Sequence, residues 1–448
     1  MANILIGTVP VVGHINPLLA IARVLVARGH AVRWLTSATF SGPIEATGAR
    51  FVPMSDGDKF EIGTFEARFP ERARLRGLAQ LKFDIKHGFM DAAPVQLRDV
   101  ERIMHEFPAD AVLGDTVFVG GQLYHELHGV PYATAGIVPL TMPSRDTAPF
   151  GFGLAPSSSP LGRARNRALN MLVERVLFRD VHLYYNKLRA GIGLPPLTRF
   201  FMKPQPSTFL YMQATVPGFE YPRSDAPEQL HFIGPVLPEP PQSWTPPAWW
   251  HELDTAATVV CVTQGTVATD PGQLIVPTIK ALGGQDVLLV VATGGRTAAE
   301  LPIDRLPLNV RVEPFIPFAH LLPHVDVMVT NGGYGGVQTA LAAGVPLVVA
   351  GDSEDKPEVA CRVAWSGAGI NLRTPTPSPG KVAAAVQAVR TVPRYRANAE
   401  RLRDEFARYD GPQRAAALLE RLIATGRPVP RDADISVDRL PALASPAG

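Results

Sequence analysis

Residues 326–355 read DVMVTNGGYGGVQTALAAGVPLVVAGDSED, and their alternation decides the fold. VDVMVT (325–330) is a strand pattern, NGGYGG (331–336) a turn with four glycines, and VQTALAAG (337–344) a helix pattern. A second apolar strand, VPLVVA (345–350), runs into the acidic loop GDSEDK (351–356). A strand feeding a glycine-rich turn at a helix N-terminus offers an anion outward-pointing N–H groups and the positive end of the helix dipole. Gly332, Gly333, Gly335 and Gly336 let the backbone approach a phosphate where a Cβ would intrude. The acidic loop after the next strand falls on the same sheet edge. A phosphate cradle beside hydroxyl-binding carboxylates points to a nucleotide sugar.

Working outward, the same alternation fills the C-terminal half. TVVCVT (258–263), DVLLVVAT (286–293), NVRVEPF (309–315) and AGINL (368–372) read as further strands, with a loop and helix over 265–284. The N-terminal half repeats the plan. NILIGT (3–8) and AVRWLT (31–36) flank a helical segment, PLLAIARVLVARG (17–29), in which Leu18, Leu19, Ile21, Ala22, Leu25 and Val26 share one face. ARFVPM, AVLGD and PYATAG are the next strands of this half, interrupted by long insertions over 56–105 and 140–200. Runs apolar on both strand faces predict parallel strands buried between helix layers. The expectation is an α/β protein of two doubly wound, Rossmann-like domains facing across a cleft. Their predicted bounds are 1–215 for the first domain, 216–255 for a proline-rich linker and 256–395 for the second domain. Helices over 396–426 are expected to return to the first domain, ahead of a proline-rich tail over 427–448.

Composition narrows the function classes. The chain has 448 residues, 46% hydrophobic and 19% charged, enough for two cores and too apolar for disorder. A formal net charge of +2 gives no reason to expect nucleic acid or an anionic membrane as partner. No apolar run reaches the ~18 residues of a membrane span. MANILIGTVP lacks a basic leader, and the two cysteines, Cys261 and Cys361, show no metal-ligand spacing. A reducing cytoplasm is the expected compartment.

Open parallel sheets bind ligands at the carboxyl ends of their strands. His14, in TVPVVGHINPLL, follows the first strand, with Pro17 expected in the first helical turn; Asp115 closes the strand AVLGD. Either residue alone reads as a capping histidine or a surface aspartate. Together, at two strand ends of one sheet, they read as a general base and the carboxylate that orients it.

VGHINPLLAIARVLVARGHAV (12–32) resembles the opening of inverting nucleotide-sugar glycosyltransferases of the GT-B fold, and more narrowly of family 1. VEPFIPFAHLLPHVDVMVTNGGYGGVQTALAAGVPLVVAGDSEDKPEVACRVAWSGAG (312–369) is similar to that family's donor-binding signature. The resemblance implies His14 as base, Asp115 as its partner, and a donor site at Gly13, Thr266, Phe315, Ile316, Asn331, Gly333, Gly335, Gly336, Asp355 and Lys356. In that reading Phe315 stacks on the base, the Ile316 backbone pairs with its edge, Thr266 touches the diphosphate and Asp355 holds sugar hydroxyls. The sequence departs from the signature where Asn331 replaces a histidine, Gly336 a Ser or Thr, Thr339 a ribose-gripping glutamate, and Lys356 and Phe318 two glutamines. Lys356 pairs either with an anionic donor or, as an exposed lysine, with Asp352 or Glu354.

The implied reaction moves a hexose from UDP-glucose, or a deoxysugar from a TDP donor, to the hydroxyl of a small hydrophobic acceptor. No cofactor or metal is expected, since Asp56-Gly57-Asp58 and Asp432-Ala433-Asp434 lie in a polar loop and the tail rather than at a strand end. Phe89, Met90, Phe150 and Phe152, from the two insertions, are the candidate acceptor contacts. A Rossmann dehydrogenase fits poorly, because the first loop holds only Gly7 and Gly13 and the second strand ends in Thr36. A nucleotide-sugar epimerase and an inactive sugar-nucleotide-binding protein remain alternatives.

Overall fold

The computed structural model describes residues 1–201, 209–241, 243–265 and 270–432. Two parallel sheets organise the chain. The first contains β1 (Asn3–Gly7), β2 (Ala31–Thr36), β3 (Arg50–Pro53), β4 (Ala111–Asp115), β5 (Tyr132–Gly136), β6 (Leu210–Gln213) and β7 (Leu230–Phe232), in spatial order β3-β2-β1-β4-β5-β6-β7. The second contains β8 (Val259–Thr263), β9 (Leu288–Ala292), β10 (Val310–Glu313), β11 (Val327–Thr330), β12 (Leu347–Val349) and β13 (Gly369–Asn371), in order β10-β9-β8-β11-β12-β13. In both sheets the chain leaves the opening strand in one direction, then returns to its other side. Each sheet therefore has one reversal point, between β1 and β4 and between β8 and β11.

Burial follows from the sequence pattern. Every residue of β4, β5, β8, β9 and β11 is buried, as strands covered on both faces must be. One core lies on each face of each sheet: Ile4, Ile6 and Trp34 on one side of the first and Leu5, Leu35 and Val112 on the other; Cys261, Val290 and Met328 against Val260, Val262 and Val329 in the second. At ~25 cal/mol per Å² of apolar surface, these four layers dominate the stabilising side of folding. The insertions build a smaller helical cluster around Leu97, Leu123, Val181 and Tyr185.

Three local expectations change. The helix after β1 spans Val12–Ala27, so His14 lies in its first turn and Pro17 inside it. Proline there forfeits the bond to the Gly13 carbonyl, while the bonds from His14 and Ile15 to the Val11 carbonyl start the helix earlier. The final helical segment is two helices, Pro393–Phe406 and Gly411–Thr425, broken where the Asp410 side chain accepts from Gln413 N and caps the second. The first packs Ala399, Leu402 and Phe406 into the second domain; the other crosses and packs Ala415, Leu419 and Leu422 against Ile21 and Leu25. The linker is docked rather than merely semi-rigid: Trp244, Trp249 and Trp250 pack on the second-domain core, and the Trp249 indole donates to Glu313 at 2.8 Å. The tail beyond Asp432 lies outside the described residues, and among those no helix is long and apolar enough to cross a membrane.

Candidate active site

The two reversal points carry different chemistry. At the first, the Asp115 carboxylate is fully buried and accepts backbone N–H groups from Val9 (2.9 Å), Val117 (2.7 Å) and Phe118 (3.0 Å). These bonds fix its orientation before any ligand arrives. The His14 ring, 16% exposed, brings Nδ1 to 3.3 Å from Asp115 Oδ1. The contact is within ion-pair reach, yet Nδ1 makes no aligned hydrogen bond. A small rotation of the ring would align it, and catalytic hydrogen bonds are often loose before substrate binds. Gly13, one residue earlier, faces open space.

At the second reversal point the groups are mostly main chain. Gly332 has φ +91°, a left-handed conformation that a side chain would strain, and a Cβ there would meet Val349 Cγ1 at 2.8 Å. The turn delivers the chain to Gly333, the N-cap of the helix Tyr334–Ala342, with no side chain capping it. A Cβ at Gly333, Gly335 or Gly336 would meet nothing within 4 Å, so all three line open space. An uncapped helix N-terminus with room before it suits an anion. Asn331 is buried, and its amide donates to the Gln264 carbonyl across the reversal point. It braces the turn with a donor that the sequence reading left free. Thr339 turns its hydroxyl back to the Gly335 carbonyl at 2.8 Å.

Phe315 follows β10 and is 66% exposed, a large ring left uncovered over Gly295. The Ile316 side chain turns inward to the core. Thr266 lies outside the described residues. Asp355 is half-buried at the start of the helix Lys356–Trp365. Burial pushes its carboxyl up to about 6; Lys356 opposes the shift and Glu354 adds to it. Hydrogen bonds from Gly151 and Gly153 of the first domain to Glu358, three residues further on, bring this helix against the first domain. Lys356 is buried, not exposed, and its Nζ is tied within its own loop to Glu354 and, at 3.1 Å, to Ser353 Oγ. The neighbouring Glu354 holds the loop in a left-handed conformation, φ 57°.

The aromatic candidates divide. Met90 is a core residue, packed with Leu97, Leu123 and Val181, and does not line an open wall. Phe89 and Phe150 are half-buried, and Phe152 is 39% exposed. Asp56 pairs with Lys59 at 2.7 Å on the surface, and Asp434 lies outside the described residues.

Other residues at the domain junction escaped the sequence reading. The Tyr334 hydroxyl accepts from Gln213 Nε2 at 3.2 Å, tying the cradle helix to the end of β6. Glu220, fully buried, accepts from Arg362 Nη2 (2.6 Å), Arg223 Nη1 (3.2 Å) and Leu140 N (3.0 Å). Burial alone would raise its carboxyl; the guanidiniums of Arg362 and Arg223 hold it below the usual range instead. No local pattern marks the pairs Gln213–Tyr334 and Glu220–Arg362, because each joins one domain to the other.

Residues 278–422 match the family described as Erythromycin biosynthesis protein CIII-like, C-terminal domain. The chain is 46% identical to 4'-demethylrebeccamycin synthase of Lentzea aerocolonigenes, over 94% of this chain and 100% of that protein. It is 31% identical to UDP-glucosyltransferase A1 of Starmerella bombicola, over 89% of this chain and 87% of that one. Among solved structures, the glycotransferase of kitacinnamycin superposes with a TM-score of 0.72 at 25% identity, covering 94% of this chain and 98% of that one. With two reversal-point sites on two parallel sheets and these relatives along its length, the chain belongs to the family 1 glycosyltransferases of the GT-B fold.

Proposed function

We propose that the enzyme transfers a hexose, from UDP-glucose in the first instance, to a hydroxyl of a small hydrophobic acceptor with inversion at the anomeric carbon. The observation that carries this reading is His14, 3.3 Å from a buried Asp115 at one strand edge, with the uncapped, glycine-lined helix N-terminus at the strand edge of the second domain. In the reaction, the acceptor hydroxyl donates to His14 Nε2 while Nδ1–H faces Asp115. The hydroxyl oxygen attacks as the sugar–phosphate bond breaks, its proton passes to Nε2, and Asp115 stabilises the imidazolium. The diphosphate leaves onto the helix N-terminus at 332–336, where N–H groups take up its charge without a metal. Phe315 stacks on the base, Asp355 holds sugar hydroxyls, and the exposed Phe152 with Phe89 and Phe150 contacts the acceptor. The free thiols of Cys261 and Cys361 suit a cytoplasmic enzyme.

UDP is favoured by the relative that bears it in its name. One observation keeps TDP as a second donor. With Thr339 bonded to Gly335, no carboxylate at that position grips the ribose, and a site lacking that grip loses a means of rejecting a 2'-deoxyribose. Nucleoside diphosphate release is measured with UDP-glucose and TDP-glucose, with and without a panel of planar phenols, and the product anomer is read by NMR. Release only with acceptor, and inverted product, is the expected result. Release or isomerisation without acceptor would favour an epimerase, and binding without turnover an inactive binding protein.

A further inference from the structure

We propose that Glu358 is a positioning residue: from the donor domain it holds the first-domain loop that carries Phe150 and Phe152, so that acceptor placement depends on the opposite domain. The inference rests on the transferase reading and adds a determinant of how the acceptor is placed.

The loop is closed at its base within the first domain. Ser157 N donates to the Asp146 carbonyl at 2.8 Å, and the Asp146 carboxylate holds Arg163 Nε (2.8 Å), Ser224 N (2.7 Å) and Ser224 Oγ (2.6 Å). Its tip is held differently. Gly151 at φ +93° and Gly153 at φ +57° adopt left-handed conformations that point both N–H groups to one side, a concave anion nest. Glu358 Oε1 fills it, accepting from Gly151 N and Gly153 N, each at 2.9 Å. Cys361 Sγ donates to the Gly153 carbonyl at 3.0 Å, one turn further along the same helix.

Glu358 is itself held. Its Oε2 accepts from Arg362 Nη1 at 2.9 Å, and Arg362 is clamped by Glu220 at its other edge. All three side chains are nearly or wholly buried. The helix begins at Lys356, directly after Asp355, and a Cβ on Gly153 would sit 3.4 Å from the Pro357 carbonyl. The loop therefore lies on the residues that follow the candidate sugar ligand. One short helix carries the sugar loop at its start and the acceptor-loop clamp in its first turn.

The experiment uses the full chain with Glu358→Ala, Glu358→Gln and, from the other side of the contact, Gly153→Ala. UDP affinity, and initial rates on UDP-glucose with whichever planar phenol the wild type glycosylates (umbelliferone first), are measured alongside hydrogen exchange of residues 147–157. Loss of two charge-assisted hydrogen bonds is expected to raise the acceptor KM about tenfold or more in Glu358→Ala, with kcat and UDP affinity changed much less. Glu358→Gln, which retains an acceptor oxygen, should fall between, and Gly153→Ala should reproduce the acceptor defect. Exchange at the loop tip should quicken in all three. A folded Glu358→Ala or Gly153→Ala with wild-type acceptor KM and wild-type loop exchange overturns the proposal. Wild-type protein that binds neither UDP nor TDP would instead sink the transferase reading, and loop exchange would still judge the clamp.

Discussion

The two sheets share one plan and differ at their working edges. At the β1/β4 reversal the chemistry belongs to side chains, an imidazole and a carboxylate whose geometry is set by three backbone N–H groups. At the β8/β11 reversal it belongs mostly to the main chain, a turn of glycines opening onto a helix N-terminus. A proton needs a titratable group, which only a side chain supplies. A diphosphate needs several converging donors, which a helix end provides without the entropy of ordering long side chains. The same topology is therefore sensitive to opposite kinds of substitution at its two edges: removal of a side chain should impair one, and addition of a methyl group the other.

The largest effect should come from the first edge. His14→Ala is expected to lower kcat by at least ~100-fold, the usual share of a general base, with UDP affinity and Tm near wild type. Wild-type turnover on an alcohol acceptor would end the assignment. At the second edge, Phe315→Ala removes an exposed ring, so Tm should hold while nucleotide binding weakens by the ~1–3 kcal/mol typical of base stacking. An unchanged Kd by calorimetry would show that the ring does not bind the base. Gly335→Ala sharpens the contrast. Its Cβ meets nothing in the folded protein, and alanine suits a helix better than glycine by ~1 kcal/mol. Thermal melts should therefore show a gain, while nucleotide affinity falls about tenfold through the intruding methyl. A variant with improved affinity would remove the glycines from the phosphate site.

The smallest effect is expected at Asp355 and is read through pH. Its carboxyl is raised to about 6, so the folded protein binds that proton more tightly than the unfolded chain. The associated stability is complete below the unfolded value near 4 and is lost as pH rises through 6. At pH 7.5 the charge on this half-buried carboxylate costs on the order of 1–3 kcal/mol. Asp355→Asn should thus raise Tm at pH 7.5, and the gain should vanish by pH 4. A gain independent of pH would mean that the carboxyl does not titrate there.

Much of this was legible in the residues. Both α/β halves, the strand-end placement of His14 and Asp115, and the glycine turn ahead of a helix follow from periodicity and short-range stereochemistry. Smaller errors came from rules applied locally. The preference of proline for the first turn puts Pro17 at a helix start, but the helix begins at Val12 and holds Pro17 inside it. A lysine in an acidic loop is expected to be exposed, yet Gly351 and the turn beneath it leave space in which the Lys356 chain is buried.

The sequence by itself marked most strands and helices and the chemical groups that stand at strand ends, because those depend on residues within one or two turns of each other; it marked neither the strand order nor β6 and β7, the latter a strand of the first sheet inside the stretch expected as linker. Only the tertiary structure decided that Met90 is core, that Asn331 braces the β8 loop, that Lys356 is tied inside its own loop, and that Glu358 reaches a loop more than 200 residues away. Those outcomes depend on which buried polar groups meet when two domains close. A buried donor or acceptor must find a partner, and which partner it finds is a property of the assembled fold rather than of the neighbouring residues.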